Sequence, residues 1–280
     1  MLSHEIDTVV VGGGQAGLAI SYYLSQEGRE HVVLERAPAV ANAWRNQRWD
    51  SFTLVTPNFQ VRMPGAEYNG TDPYGFMSLA EVVKYFDDYV ERFRLSVHCE
   101  VEVFSVEKMQ EEYLVRTSEG DYQADNVVIA TGLYQSPKIP HFSTTIPADI
   151  LQIHSMEYRN LSYLRDGAVL VVGTGQSGAQ IAEEIYQSGR RVYLSIGSAG
   201  RVPRRRFALP SRSHQAGMPS SAGPSSPPPP MGPPGAAPGG ERPIEGSGKS
   251  SLIVSMTRSM WLCAPTASEP VASTMRIQRS

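Results

Sequence analysis

The sequence predicts an α/β protein: one complete strand-and-helix unit with an antiparallel β-meander, the start of a second such unit, and a low-complexity tail. Three observations carry this. A β-branched run, Ile6 to Val11, enters a glycine-rich turn and then an apolar-periodic segment, the order of strand, tight turn and helix. The same order recurs from Ala168 onward. Composition then breaks at Arg206, since all 13 tyrosines precede it and 13 of the 21 prolines follow it.

Length and composition narrow the function. A chain of 280 residues holds one large core or two modest ones. With 41% hydrophobic residues and a net charge of −3 it lacks the basic footprint of a nucleic-acid binder or a polybasic membrane patch, so small molecules are the expected partners. Cys99 and Cys263 form no C-x-x-C pair and no zinc-ligand cluster, so no metal is expected and any redox chemistry must use a bound cofactor. The N-terminal apolar run is broken by Gly12, Gly13 and Gly14 and preceded by Glu5 and Asp7, which does not fit a signal peptide. No stretch is apolar enough to span a bilayer, and the protein is read as cytoplasmic. Oligomeric state leaves no signature in the sequence.

In the first unit, residues 1–150, Ile6 to Val11 leads into Gly12-Gly13-Gly14-Gln15-Ala16-Gly17 and a helix over Leu18 to Leu24. The spacing puts Gly12, Gly14 and Gly17 where a turn must be tight, where backbone must approach a pyrophosphate, and where a helix must pack close to a strand. A second strand, His31 to Leu34, ends at Glu35, and a carboxylate about 20 residues beyond the glycines suits a ribose hydroxyl. This is a Rossmann-like dinucleotide unit.

The second unit, residues 151–206, repeats the pattern. Ala168 to Val172 enters Gly173-Thr174-Gly175-Gln176-Ser177-Gly178, a helix from Ala179 to Gln187 and a strand from Arg191 to Ile196. No acidic residue ends that strand. Ser195 and Ser198, with Arg201 and Arg204 to Arg206, suit a 2′-phosphate and so NADP over NAD. The same arginines also read as an ordinary solvated cluster.

Between the units, Glu100 to Glu107, Glu112 to Thr117 and Gln123 to Ile129 read as a meander over about 100–130, with Ser118 to Asp121 turning the last pair. It leads into Ala130-Thr131-Gly132, a close-packing triplet with structural and ligand-facing readings of equal weight. Leu79 to Phe93 is an amphipathic helix. The tail, 207–280, is rich in Ser, Pro, Gly and Ala and is expected to be disordered, with one apolar patch, Leu252 to Val254 with Met256 and Met260 to Cys263, able to form a short helix or strand.

Two glycine units flanking a meander and an Ala-Thr-Gly triplet resemble the two-dinucleotide-binding-domain flavoproteins. Within these, Trp44-Arg45, Arg48 to Phe52, Leu54 to Asn58 and His154-Ser155 with Tyr158 are similar to the flavin-containing monooxygenase group, over about Ile6 to Arg206. The resemblance implies FAD at Gly12, Gly13, Gly14, Gln15, Ala16, Gly17 and Glu35, with Thr131 and Gly132 near it. It implies Trp44 and Arg45 lining the flavin, backbone near Val103 at the adenine, and NADPH at Gly173, Gly175, Gln176, Ser177, Gly178 and Arg201. It implies a reaction in which NADPH reduces the flavin and molecular oxygen then gives a hydroperoxide that oxygenates a small-molecule substrate.

Departures from the group leave alternatives. The fingerprint F-x-G-x-x-x-H-x-x-x-[FW] is half present, since Ala148 and Ile150 precede His154 and Tyr158 follows it. A flavin reductase or dehydrogenase passing electrons to another acceptor therefore stands as a second reading, and an inactive fragment as a third. Catalytic candidates are Arg45 and Asn58 as hydrogen-bond donors and His154 near the nicotinamide. Asn58 also reads as a turn residue after Pro57, and His154 as a structural residue at a boundary. The resemblance stops at Arg206, which is expected for a family member truncated there, its tail a frame-shifted end.

Overall fold

The computed structural model describes residues 3–196 and the backbone of 251–254. Ser3–Val11 forms β1, an inner strand whose Val9 and Val10 are fully buried, as a parallel strand covered on both faces requires. There follow helix α1 (Gln15–Gln26), β2 (His31–Glu35), a short helix α2 (Asn42–Asn46), a two-residue hairpin of β3 (Arg62–Met63) with β4 (Ala66–Glu67), and α3 (Leu79–Phe93). Then come β5 (Val97–Cys99), β6 (Val103–Met109), β7 (Glu112–Thr117) and β8 (Gly120–Ile129). The sheet runs β5-β2-β1-β8-β7-β6, parallel from β5 to β8 and antiparallel from β8 to β6.

Helix α3 spans the residues its periodicity marks. A capping box starts it: Ser78 Oγ accepts from the Glu81 amide, and the Glu81 carboxylate accepts from the Ser78 amide. Val82, Phe86 and Tyr89 face the core, while the Tyr85 and Tyr89 hydroxyls donate to the carbonyls of Ala66 and Pro64 and so fasten the β3–β4 hairpin. The meander differs from expectation at two ends. Its last strand begins at Gly120, because Thr117 pairs with Gly120 and leaves only Ser118 and Glu119 in the turn. Its first strand begins at Val103, because Glu100 takes a positive φ and the Val101 amide is drawn back to the Glu35 carbonyl.

The second unit holds β9 (Leu151–His154), β10 (Val169–Val172), α4 (Gln176–Gln187), β11 (Val192–Ser195) and β12 (Ser251–Val254), in the all-parallel order β11-β10-β12-β9. Ile181 and Ile185 of α4 pack on Val169 and Val171 in a cluster that continues into Trp44, Trp49, Phe52 and Phe86 of the first unit. One core therefore crosses both units. The opposite face of this sheet is bare among the described residues, with Leu170 40% and Tyr193 47% exposed.

Of the tail expected to be disordered, 207–280, only 251–254 falls within the described residues, and there the chain is a strand. It slots between β9 and β10 and pairs in parallel with both. The apolar run Leu252-Ile253-Val254 suits an inner position of that kind. A chain ending after Ser250 is expected to lose hydrogen-exchange protection at Val169–Val172 by on the order of a few kcal/mol, at about 1 kcal/mol per ladder bond lost, with β1 unaffected. Unchanged protection in β10 would contradict the pairing.

Candidate nucleotide-binding site

Gly12 leaves β1 with φ +110°, and its amide donates to the Leu34 carbonyl at 2.8 Å. A Cβ there would stand 2.7 Å from the Ala130 carbonyl oxygen, so the turn and the start of the Ala130–Gly132 triplet meet backbone to backbone. A Cβ on Gly17 would come within 1.9 Å of the Gly12 carbonyl oxygen, which only glycine permits. Gly14, the N-cap of α1, has nothing within 4 Å of an added Cβ. The first helical bond runs from Leu18 N to Gly14 O at 3.0 Å, so the amides of Gln15, Ala16 and Gly17 point out of the helix start on the open side of Gly14. Donors grouped at a helix N-terminus, beside backbone that nothing covers, are the recipe for a phosphate cradle.

Glu35 ends β2 beside this cradle. Its Oε2 accepts from the Gly13 amide at 2.7 Å and its Oε1 from the Ala37 amide at 2.9 Å. Two backbone donors thus aim the carboxylate, and each oxygen retains a lone pair for a ribose hydroxyl. Val101 N donates to Glu35 O at 3.0 Å, which brings the chain ahead of Val103 to the same edge. Thr131 and Gly132 are exposed after β8, whose end is tied to β1 by Ala130 N donating to Val11 O at 2.8 Å. Cys99 lies level with Glu35 on β5. Burial, with Glu35 and Glu100 nearby, pushes its thiol above the ordinary range, so it is no reactive thiolate.

The second turn copies the first. Gly173 has φ +103°, its amide donates to Ser195 O at 3.0 Å, Gly175 caps α4, and the first helical bond joins Ala179 N to Gly175 O at 3.0 Å. Gln176, Ser177 and the buried Gly178 form the helix start. Ser195 stands at the strand end where Glu35 stands in the first unit. Ser198, Arg201 and Arg204 to Arg206 lie outside the described residues.

The remaining candidates are bound into the framework. Trp44 is 6% exposed and packs against Phe52 and Phe86. Arg45 donates through Nε to the Val40 carbonyl and pairs with Asp87 of α3. Asn58, 6% exposed, donates to the Asp72 carbonyl at 2.9 Å and accepts from the Met77 amide at 2.8 Å, pinning the loop between α2 and α3. His154, 9% exposed at the end of β9, accepts at Nδ1 from the Met156 amide, which places its proton on Nε2, and that atom has no partner among the described residues. Burial lowers the His154 pKa, opposed weakly by Glu157.

The joining contacts between the units involve Thr53, Arg159, Asn160, Gln180 and Glu184, which carry no motif in the sequence. The Gln180 side-chain amide both accepts from Thr53 N at 3.2 Å and donates to Thr53 O at 2.9 Å. Tyr158 Oη donates to Glu184 Oε2 at 3.1 Å, Asp50 N donates to Arg159 O at 2.7 Å, and Asn160 Nδ2 donates to Asp50 Oδ2 at 2.6 Å. Arg48 lies over the Trp44 ring at 4.9 Å and, half-buried with Arg159 near, has its pKa lowered to about 10. None of these belongs to a glycine motif. The signals were Arg48 to Phe52 and Tyr158, which entered only as points of family resemblance.

Residues 9–207 match the pyridine nucleotide-disulphide oxidoreductase family. The chain belongs to this family. The disulphide of the name has no dithiol counterpart in a sequence without C-x-x-C. An uncharacterized CzcO-like oxidoreductase of Geobacillus kaustophilus is 41% identical over 196 residues, covering 70% of this chain and 56% of the relative. A probable indole-3-pyruvate monooxygenase of Arabidopsis thaliana is 26% identical over 204 residues, covering 72% and 49%. Among solved structures, a flavin-containing monooxygenase from Stenotrophomonas maltophilia superposes with a TM-score of 0.63 at 27% identity, over 70% of this chain and 59% of that one. The chain spans about half the length of the curated relatives it matches. The expected resemblance to the flavin-containing monooxygenase-like flavoproteins is thereby borne out. Among the described residues no helix is long and apolar enough to cross a membrane, and no cluster could hold a metal ion.

Gly17→Ala forces α1 off β1 and should cost on the order of 3 kcal/mol in urea unfolding; a loss below about 0.5 kcal/mol would contradict the 1.9 Å approach. His154 is depressed when folded, so as pH falls the unfolded chain takes up its proton first, at about 6.5, and stability drops. The melting temperature of the wild type should fall more steeply between pH 7.5 and 5.5 than that of His154→Asn, and parallel curves would refute this.

Proposed function

We propose that this chain acts as an FAD-dependent, NADPH-using oxidoreductase of the flavin-containing monooxygenase kind, with a small-molecule substrate and molecular oxygen as co-substrate. The observation that carries the reading is the pair of matched glycine turns, each at the carboxyl ends of parallel strands and joined through one core. Crevices of that kind take dinucleotides. The likeness to the Stenotrophomonas maltophilia flavin-containing monooxygenase supports it.

Residues of the first unit fit FAD, since Gly14 is open on the side its backbone would offer a pyrophosphate and Glu35 is already aimed by two amides. Gly12, Gly13, Gly14, Gln15, Ala16 and Gly17 would hold the pyrophosphate, Glu35 the ribose, backbone near Val103 the adenine, and Thr131 and Gly132 the far side. Gly173, Gly175, Gln176, Ser177 and Gly178 would hold NADPH, with Arg201 on its 2′-phosphate. Bound flavin supplies hydride acceptance and oxygen reactivity. The protein's part is positioning and desolvation. Trp44, Trp49 and Phe52 keep water from the wall beside the first turn, and Arg45 and Asn58 hold that wall against α3 and the loop ahead of it. His154 keeps its proton on Nε2, a neutral donor at the carboxyl end of β9 for a nicotinamide or substrate oxygen.

The test is the visible spectrum of the purified 280-residue chain before and after anaerobic NADPH. Flavin bands should bleach with NADPH and return in air. Gly14→Ala should fold normally yet bind FAD at least about tenfold more weakly, because its methyl group occupies the ligand side. A colourless chain that FAD cannot reconstitute would overturn the proposal, and bleached flavin that returns only with a quinone or dye would make it a reductase.

A further inference from the structure

Thr53 forms an isolated antiparallel bridge with Ser78, and the hydrogen bonds of that bridge belong to its neighbours: Leu54 N donates to Met77 O, and Leu79 N donates to Phe52 O. In such a pair the intervening residue turns its own N–H and C=O to the other side. Both are taken by the Gln180 side chain, which accepts from the first and donates to the second as a neighbouring strand would. Asparagine and glutamine alone carry a donor and an acceptor on one amide plane suited to this. Gln180 lies five residues beyond the Gly175 N-cap, about 7.5 Å along α4. One turn further on, Glu184 receives the Tyr158 hydroxyl, with Ile181 and Ile185 buried beside it.

From this geometry we propose that Gln180 is a positioning residue that sets the register between the two nucleotide sites. It fixes the helix whose N-terminus faces the second nucleotide against the backbone of the segment that walls the first. The inference rests on the function proposed above, in which a hydride crosses from one nucleotide to the other. Transfer of that kind is steep in geometry, a displacement of about 1 Å being enough to slow it by about a hundredfold. Gln180 touches neither nucleotide and acts through the placement of α4.

The experiment compares the full chain with Gln180→Met and Gln180→Glu. Spin labels at Glu27→Cys and Tyr186→Cys, both exposed, report the distance between units after Cys99 and Cys263 are replaced by serine. The distribution should be narrow in the parent and broadened in Gln180→Met. Gln180→Glu keeps the acceptor for Thr53 N but sets an oxygen against Thr53 O, so it should fall between them or shift the mean. In FAD-loaded protein, anaerobic flavin reduction at saturating NADPH should slow by about tenfold to a hundredfold in Gln180→Met, with FAD occupancy and NADPH affinity unchanged. An unchanged distance distribution overturns the clamp, and a broadened distribution with unchanged reduction overturns its role in register. A parent chain that binds no FAD overturns the proposed function instead, and the distance measurement, which needs no cofactor, still decides the clamp.

Discussion

The approach of Gly17 to the Gly12 carbonyl is the constraint on which the rest is built. A side chain at residue 17 would lie 1.9 Å from that oxygen, so α1 can rest on β1 only because none is present. With the helix this close, its first amides open onto the turn between strand and helix, and Gly14 is left uncovered there. Gly12 in turn accepts a positive φ and lets Ala130, arriving at the end of β8, touch the turn from the other side. Three strands and one helix thus converge on about six residues. Little conformational freedom remains for a bound anion to remove, which is the sense in which such a cradle is preorganised.

Repetition of this device explains the second unit, and it also explains why that unit needs help. Gly173 and Gly175 reproduce the turn, the strand-end hydrogen bond and the helix start of the first copy. Among the described residues, four parallel strands with a helix on one face leave Leu170 and Tyr193 partly exposed, so the sheet draws support from elsewhere. One source is β12, which fills the place between β9 and β10. The other is the core shared with Trp44, Trp49, Phe52 and Phe86, reinforced by the Gln180 and Tyr158 contacts. Two neutral hydrogen bonds from Gln180 contribute about 1 kcal/mol each, modest against the apolar burial around them. Their value is directional, because apolar packing tolerates sliding and paired amides do not.

Local signals in the sequence were read well where one short segment decides its own shape. The glycine turns, Glu35 at the strand end, and α3 from Leu79 to Phe93 all lie where spacing and periodicity put them. Boundaries set by distant partners were read less well. The meander begins at Val103 and not Glu100 because the Val101 amide is claimed by Glu35, sixty-odd positions earlier in the chain. Strand β5 has three residues and owes its existence to pairing with β2, so no alternation could announce it. Gln180 offers nothing to periodicity analysis, since its partner is backbone and any residue at position 53 presents the same groups.

The fate of Arg45, Asn58 and His154 separates two kinds of polar residue that a motif cannot. Arg45 bonds to Val40 and Asp87 and Asn58 to Asp72 and Met77, and those bonds help the 42–77 segment hold its shape. A donor so engaged acts on a ligand mainly by placing the wall it belongs to. His154 is different: one ring nitrogen is spent on Met156 and the other is buried without a partner among the described residues, a condition that costs about 1 to 3 kcal/mol if nothing relieves it. Arg45 and Asn58 thus spend side-chain hydrogen bonds on the framework around them, whereas among the described residues the Nε2 proton of His154 does not.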